Sequence, residues 1–394
     1  MPGVLEGIRV LDFGRYIAGP FCGALLGDLG AEVIRIEKVD GSEDRWVTPV
    51  IPEKEGVTFL QMNRNKFGLT LNPTKPAGRE IVARLVKTAD VVVANLPADT
   101  LKEMGLDYEA LSAINPRIIL ATTSMFGSEG PYADRVGFDT IGQAMSGAMH
   151  LSGWGDRPMR VAVPYVDFST AYLNTIGVLA ALVEREKSGK GQKVETALLK
   201  SALNASNTHL IEQQMIEANR TAIGNRAWTA APSDSFKCKD GWIYAMTLGQ
   251  PLFVRWARLM GEDSWLTDGR FKDDLKRGDH GEMISARMQK WCDDKTVAEA
   301  LAALAKARIP AGPVYTPQQA LEDVHVMDQK LFKQVTYPGA NKPVPYLDEP
   351  VKLSRTPLEI RMRPPTLGEH TEQILQEVGY SKAEIAKLRQ DRVV

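Results

Sequence analysis

Asp167 is the residue whose type and position most favour chemistry, because it places a carboxylate near the start of a long apolar segment, VAVPYVDFSTAYLNTIGVLAALVER. Pro164 marks the expected entry into a helix, so Asp167 would lie in its first turn. An aspartate there is commonly an N-terminal cap, which is a structural role. A partly buried carboxylate at a helix N-terminus is also able to attack an activated acyl group as a covalent nucleophile. The pattern alone leaves both interpretations open.

Motifs for other chemistry are missing or incomplete. Glu37 ends the second predicted strand, where a dinucleotide-binding domain has an acidic residue, but the preceding turn, Gly14–Pro20, lacks the GxGxxG spacing. The sequence contains neither a P-loop nor a GxSxG nucleophile elbow. The three cysteines form no CxxC pair and the five histidines are scattered. We therefore expect no nicotinamide dinucleotide, no disulfide framework and no metal site.

Composition narrows the class of partner. The chain has 394 residues, enough for two to three domains at about 150 residues each, and 48 basic residues against 49 acidic ones give a formal net charge of −1. Such a balance provides no global positive field for nucleic acid or an anionic membrane. The N-terminus has no basic region followed by an apolar one, and no stretch of about 18 uninterrupted apolar residues occurs. We expect a cytoplasmic protein with no nucleic-acid and no membrane partner.

The elements that must position Asp167 alternate between strand and helix in the N-terminal half, which predicts an α/β fold with a doubly wound parallel sheet. A further helical run, FDTIGQAMSGAMHL, precedes the long helix that begins near Asp167, and Gly189 ends that helix. The predicted strands are 8–12, 32–37, 69–71, 90–94 and 117–122, with helices at 19–29, after Pro76 and from Asp99.

A smaller α+β domain follows a linker at 225–235 that contains Pro and Ala. Its first feature is a hairpin around Asp240 and Gly241, and several helical runs come after it. The tail from Asp348 predicts a strand followed by a docking helix. We expect a large domain made of residues 1–224 and 326–394 and a small domain made of residues 225–325.

Six ordered segments resemble the class III CoA-transferases, a family that includes formyl-CoA transferase, carnitine CoA-transferase, dicarboxylate CoA-transferases and alpha-methylacyl-CoA racemase. The resemblance covers nearly the whole chain and is nearest in character to the dicarboxylate enzymes. The segments are RVLDFGRYIAGPFCGALLGDLGAEVIRIEK, NRNKFGLTLN, SMFGSEGPYADRVGFDTIGQAMSG, VDFSTAYLNTIGVLAALVEREKSGKGQKVETAL, IPAGPVYTPQQALEDVHV and PPTLGEHTEQIL.

The resemblance implies a large CoA-binding domain made from both chain ends, a smaller domain between them, and two subunits interlocked as a homodimer. It implies acyl-CoA as a substrate rather than a permanently bound cofactor. The aspartate that matches Asp167 would be the catalytic nucleophile, forming first an aspartyl anhydride and then an aspartyl-CoA thioester.

Other site residues follow from the resemblance position by position. A family arginine is replaced by Glu103, which weakens the expected nucleotide contact unless Lys102 substitutes for it. The CoA-binding positions are Tyr16, Ile17, Ala18, Lys38, Leu71, Asn72, Asn95, Leu96, Lys102, Arg135, Phe138 and Asp139. The substrate-binding positions are Arg226, Trp228 and Gln250. Residues 225–232 replace the glycine-rich loop of formyl-CoA transferase, which disfavours formate and oxalate and favours a larger acid.

The expected function is transfer of CoA from an acyl-CoA, such as succinyl-CoA, to a free carboxylic acid, in particular a dicarboxylate. One alternative is racemisation of alpha-methylacyl-CoA, which is disfavoured because Phe138 and Gln250 occupy the positions of the racemase histidine and glutamate and neither exchanges a proton near neutral pH. Another is a non-catalytic subunit that binds CoA esters beside a related subunit.

Overall fold

The computed structural model describes residues 3–51 and 55–394 of the chain. These residues form two compact units. The first comprises Met1–Ser146, Val161–Ile211 and Gln329–Val394, and the second comprises Gly147–Arg160 and Glu212–Asp328. The second unit contains the predicted small domain, 225–325, and adds the residues just before it and a separate short segment.

Strands and helices occur throughout both units. The strands are β1 (Arg9–Asp12), β2 (Glu32–Glu37), β3 (Lys66–Thr70), β4 (Val91–Ala94), β5 (Ile119–Ser124), β6 (Gly153–Trp154), β7 (Arg157–Pro158), β8 (Lys193–Ala197), β9 (Ser233–Lys237), β10 (Trp242–Met246), β11 (Ala311–Pro313), β12 (Phe332–Val335) and β13 (Val344–Leu347). The α-helices are α1 (Ala18–Asp28), α2 (Val57–Met62), α3 (Pro76–Val86), α4 (Ala98–Glu103), α5 (Tyr108–Ile114), α6 (Asp139–Met145), α7 (Ala148–Leu151), α8 (Tyr165–Ser188), α9 (Leu198–Ile216), α10 (Gln250–Met260), α11 (Asp274–Asp279), α12 (Gly281–Cys292), α13 (Val297–Lys306), α14 (Pro317–Glu322), α15 (Val324–Asp328), α16 (Thr371–Glu377) and α17 (Lys382–Gln390). Short 3₁₀ helices occur at Glu43–Trp46, Asp263–Leu266 and Gly269–Phe271.

The first unit is built on a six-stranded sheet in the order β3-β2-β1-β4-β5-β8, and every neighbouring pair is parallel. This confirms the α/β fold and the parallel sheet. The five predicted strands are all present, within a few residues of their predicted ends. The sixth, β8, was not predicted, because KVETA is short, mostly half-buried and alternates only weakly.

Both faces of this sheet are covered, because successive side chains of a strand point to opposite faces. Val10, Val33 and Val91 pack on one face with apolar residues of α1 and α8. Leu11 and Ile34, their neighbours along the chain, pack on the other face with α3, α16 and α17. Two cores therefore enclose the sheet, and the one that contains α1 also holds α8, the helix that carries Asp167.

The helix α8 is long and apolar enough, by length and composition alone, to cross a membrane, with a mean hydropathy of 1.4 over its most apolar window. Core helices of globular proteins meet the same criterion. Here Ala171, Val178, Ala181 and Leu182 are buried in the sheet core. The apolar character of the buried side of α8 is accounted for by this packing.

The second unit has a three-stranded antiparallel sheet in the order β11-β10-β9. The predicted hairpin around Asp240 and Gly241 joins β9 to β10 and is confirmed. Ile243 and Ala245 point inward from β10 and pack against α10, α12 and α13.

Two expectations about elements were wrong. The described residues 348–394 contain helices α16 and α17 but no strand. The prolines at 364 and 365 have no backbone N–H to donate to a neighbouring strand. The amides that precede them bond to a side chain, since Arg361 N and Met362 N both donate to Asn65 Oδ1, at 2.7 and 2.9 Å. The run 138–151 is not one helix, because Gly147, at φ 84°, separates α6 from α7.

Candidate active site

The loops after β1 and β4 meet at the carboxyl edge of the sheet, at the point where the strand order reverses. Open parallel sheets bind ligands in the crevice at such a point. The Asn95 side chain joins the two loops, since its Oδ1 accepts from Arg15 N at 2.6 Å and its Nδ2 donates to Arg15 O at 2.8 Å. Tyr16 and Ile17 follow in the same loop, and Ala18 is buried as the first residue of α1.

Asp167 is the third residue of α8, and its carboxylate does not cap that helix. Pro164 at the N-cap position provides no side-chain acceptor. The cap comes from Asp139 of α6, whose Oδ2 accepts from Val166 N at 2.7 Å and from Asp167 N at 3.1 Å. The structural role that the sequence left open for Asp167 therefore belongs to a different aspartate.

Gln143 holds Asp139 in this position. Its Nε2 donates to the other carboxylate oxygen of Asp139 at 2.5 Å, and its Oε1 accepts from Val161 N at 2.9 Å. Asp139 and Gln143 are both buried. Asp139, Gln143 and the amide of Val161 thus form a hydrogen-bonded brace between α6 and the segment that leads into α8.

The Asp167 carboxylate is half-buried, and within residues 3–51 and 55–394 no donor lies within hydrogen-bond distance of it. Burial, together with the nearby negative charge of Asp139, raises its pKa to about 7. A carboxylate with few hydrogen bonds and little solvation is a stronger nucleophile than one in water. Near neutral pH the Asp167 side chain is therefore present in both its protonated and its ionised form.

An aromatic pair lies beside the start of α6. The rings of Tyr16 and Phe138 meet edge to face, with centroids 5.7 Å apart. Phe138 is 63% exposed although it is apolar, and it immediately precedes Asp139. Tyr16 has a left-handed backbone, at φ 62°, which is unusual for a bulky residue. The pair connects the loop after β1 to the helix whose aspartate caps α8.

The remaining predicted CoA positions of the first unit lie in varied surroundings. Lys38 is exposed just after β2 and forms an ion pair with Glu43. The side chain of Leu71 is 1% exposed in the core, so its backbone alone is available to a ligand. Leu96 packs partly against the same core, and Asn72 holds its own turn through Thr74 N at 3.1 Å.

Two basic predicted positions are accessible. Lys102 is exposed in the last turn of α4. The Arg135 guanidinium is also exposed and lies 3.9 Å from the centre of the Tyr132 ring. The structure does not bring either of them into hydrogen-bond contact with Asp167.

The three predicted substrate positions lie in the second unit. Trp228 donates through Nε1 to Thr221 O at 3.1 Å, and Gln250 accepts from Arg277 Nη1 at 2.7 Å. Arg226 is half-buried, and among the described residues no carboxylate forms an ion pair with it. Its guanidinium therefore has the capacity to bind a carboxylate of a ligand.

Sequence reasoning missed Gln143, which lies four residues after Asp139 and so on the same face of α6. That spacing is a weak signal, because amide side chains are common on helix surfaces.

The family model for CoA-transferase family III matches residues 5–371. This chain belongs to CoA-transferase family III. It is 33% identical, over 100% of its own length and 98% of the relative, to a succinyl-CoA–D-citramalate CoA-transferase from Chloroflexus aurantiacus. It is 32% identical, over 98% of its length and 96% of the relative, to a formyl-CoA:oxalate CoA-transferase from Rhodopseudomonas palustris. The resemblance seen in the sequence is thereby confirmed.

A solved structure supports the same family. A CAIB/BAIF family protein from Brucella suis superimposes with a TM-score of 0.85 at 32% identity, covering 96% of this chain and 100% of that one. The family and these relatives identify this chain as a CoA-transferase, an enzyme that acts on CoA thioesters.

Proposed function

We propose that this enzyme transfers CoA from an acyl-CoA to a free dicarboxylic acid, with Asp167 as the covalent nucleophile. The observation that carries the proposal is the state of the Asp167 carboxylate: half-buried, without a hydrogen-bond donor among the described residues, and released from capping α8 by Asp139. A carboxylate held in this way has no structural role of its own at the helix terminus.

The reaction has four steps that balance. The Asp167 carboxylate attacks the thioester carbonyl, and the CoA thiolate leaves, which produces a mixed anhydride. The thiolate then attacks the Asp167 carbonyl of that anhydride and releases the donor acid, leaving an aspartyl-CoA thioester. The acceptor carboxylate attacks this thioester to form a second anhydride and free thiolate. Attack of the thiolate on the acceptor carbonyl yields the new acyl-CoA and regenerates Asp167.

The chain contributes to these steps by position and by charge. The brace of Asp139 and Gln143 fixes the first turn of α8, so the nucleophile needs little reorganisation before attack. The negative charge of Asp139 opposes ionisation of Asp167 and, for the same reason, favours the step in which the Asp167 negative charge is consumed. Tyr16 and Phe138 supply apolar surface that would limit access of water to the reactive anhydride.

Arg226 and the relatives support a dicarboxylate as the acceptor. The relative from Chloroflexus uses succinyl-CoA and D-citramalate by name. A second carboxylate on the acceptor would be neutralised by the Arg226 guanidinium, which has no carboxylate partner among the described residues. Trp228 would add apolar surface next to it.

Self-association of the chain is part of the proposal. The helix α8 exposes an apolar stripe on the side away from the sheet core, formed by Tyr172, Leu173, Ile176 and Val183, of which Ile176 and Val183 are more than half exposed. Contiguous apolar patches of this kind mark interaction surfaces. A homodimer would cover the stripe, and a related subunit is the alternative occupant.

A transfer assay tests the proposal. We expect the purified enzyme to convert succinyl-CoA and a panel of dicarboxylic acids to the corresponding CoA esters, and Asp167→Asn to reduce kcat by at least about a thousandfold. The matched control is Asp107→Asn, since Asp107 is a true cap that accepts from Ala110 N at 3.0 Å at the start of α5. Full activity of Asp167→Asn would reject the nucleophile, and activity restricted to monocarboxylic acids would reject the substrate class.

A further inference from the structure

The loop between β1 and α1, residues 13–17, is fixed on either side of Tyr16 by polar side chains from neighbouring strands. The amide of Gly14 donates to Asp12 Oδ1 at 2.8 Å, and Arg35 donates to the Gly14 carbonyl. Beyond the loop, in the first turn of α1, Pro20 O accepts from Lys66 Nζ at 2.7 Å, and Lys66 Nζ also donates to Asp12 Oδ2 at 2.7 Å. These charged side chains are buried, so they hold the loop ends firmly.

Asn95 holds the residue directly before Tyr16 by both of its amide groups. Its Oδ1 accepts from Arg15 N and its Nδ2 donates to Arg15 O, which is the pattern of a pair of hydrogen bonds between two strands. The chain is thus fixed at Gly14 and Arg15 in the loop and at Pro20 in α1, and Tyr16 between them has a left-handed backbone. A tyrosine does not adopt this conformation without a constraint.

The space for Asn95 depends on Gly19. A Cβ at position 19 would lie 3.0 Å from Asn95 Oδ1 and 3.1 Å from Gly14 Cα, closer than such contacts normally are. Gly19 is the second residue of α1, where glycine is otherwise unfavourable for a helix. The lack of a side chain at Gly19 therefore leaves space for the Asn95 amide that holds the loop.

We propose that Asn95 is a positioning residue that forces the left-handed backbone of Tyr16 and thereby sets the Tyr16–Phe138 pair at the start of α6, rather than a direct ligand of CoA. The inference rests on the proposed function, because it assumes that the loop after β1 lines the acyl-CoA site. Both polar groups of the Asn95 side chain are already used by the backbone of Arg15. The second N–H and the second oxygen lone pair of Asn95 are not used by Arg15, so a positioning role is distinguished from a direct contact by its coupling to Tyr16.

The test is a double-mutant cycle on CoA binding, measured by titration calorimetry with free CoA as the probe. Asn95→Ala should raise the dissociation constant about tenfold, which corresponds to about 1.4 kcal/mol. In a Tyr16→Gly background the same substitution should raise it less than about threefold, because glycine adopts the left-handed backbone without a constraint. Gly19→Ala should reproduce the Asn95→Ala effect, although it removes no polar group.

The matched control is Asn115→Ala. Asn115 also bridges backbone groups, donating to Val86 O at 3.1 Å and Ala89 O at 2.8 Å, but at the opposite edge of the sheet. Its removal should lower thermal stability and leave the affinity for CoA unchanged. Equal effects of Asn95→Ala in the Tyr16 and Tyr16→Gly backgrounds would show a direct ligand and overturn the inference. If the unmodified enzyme does not bind CoA, the proposed function fails instead.

Discussion

Asp139 and Asp167 are two carboxylates at one helix terminus, and their surroundings give them different chemistry. Asp139 accepts three hydrogen bonds, two of them from the positive end of α8. Asp167 projects from the same turn and receives none from the described residues. The first is held in place by these three bonds and caps the helix. The second is destabilised as an anion by burial and by the first, which is the condition for a nucleophile that reacts readily.

The pH dependence of the reaction follows from the Asp167 pKa of about 7. Only the ionised carboxylate attacks, so kcat/KM with succinyl-CoA should rise through an apparent pKa near 7 and level off above it. An aspartate in water would place that limb near pH 4. A pH–rate profile in a constant-ionic-strength buffer distinguishes the two, and a flat profile from pH 5 to 8 would contradict the raised pKa.

Ionisation of Asp167, which should raise kcat/KM as pH rises, should at the same time lower the stability of the folded chain. The folded state binds a proton at Asp167 that the unfolded state releases between about pH 4 and pH 7, so this residue costs stability progressively as pH rises through that window. Asp167→Asn removes the cost. We expect it to raise the free energy of unfolding by about 1–2 kcal/mol at pH 8, a discounted value because the carboxylate is partly in water.

Urea titrations at pH 5 and pH 8 measure this difference. The gain from Asp167→Asn should be larger at pH 8 than at pH 5. A loss of stability at pH 8 would mean that Asp167 supports the helix after all. The sequence placed Asp167 in the first turn correctly, but it could not show which aspartate caps the helix, because that depends on how α6 packs against α8.

The start of α8 is built by an element that is distant along the chain. The residues of α6 supply the cap and its support, and Tyr16 from the loop after β1 contacts Phe138 at the start of α6. Hydrophobic periodicity predicted both helices. It gave no information on the bond between them, since hydrogen bonds over 27 residues of separation leave no pattern in a sequence.

Asp139→Asn tests the brace. An asparagine that accepts from the two helix amides turns its NH₂ group toward Gln143 Nε2, which is also a donor, so two donors face each other in a buried site. We expect a loss of about 1–3 kcal/mol in the free energy of unfolding. Because the charge that opposes ionisation of Asp167 is gone, the acid limb of kcat/KM should move to lower pH.

The double variant Asp139→Asn with Gln143→Glu is the internal control. A glutamate at 143 would accept from the asparagine and from Val161 N, which restores every bond of the brace with the charge moved away from the helix terminus. Stability should recover at least in part. Equal stability of the single and double variants would contradict a contribution of the brace to the free energy of unfolding.

At the scale of the whole molecule, the alternation of strands and helices was sufficient to predict the parallel sheet, because buried strands such as DVVVA have a strong signal. The prediction of a strand in the C-terminal tail was wrong because the amides of Arg361 and Met362 bond to the Asn65 side chain and not to another strand. The sequence pattern contains no comparable signal for the association of two chains. The exposed apolar stripe on α8 is visible only once the buried side of the helix is known.

Ile176→Asp tests the assembly. Ile176 is 60% exposed on α8, so its replacement does not disturb the sheet core. The unmodified enzyme should sediment as a dimer at micromolar concentration, and the variant should shift toward monomer, because a charge in an apolar interface is left unpaired. Lys187→Ala, an exposed change on the same helix, is the control. A fully active monomeric wild-type enzyme would contradict the proposed dimer.

Identifying the residue that becomes covalently activated tests most directly whether Asp167 is the nucleophile. After brief incubation with succinyl-CoA and no acceptor acid, hydroxylamine converts an aspartyl anhydride or thioester to a hydroxamate, which peptide mass spectrometry locates. We expect the hydroxamate at Asp167 alone, with Asp139 in the same experiment unmodified. A hydroxamate at another residue, or none at any residue in an enzyme preparation that turns over, would contradict the assignment of Asp167 as the nucleophile.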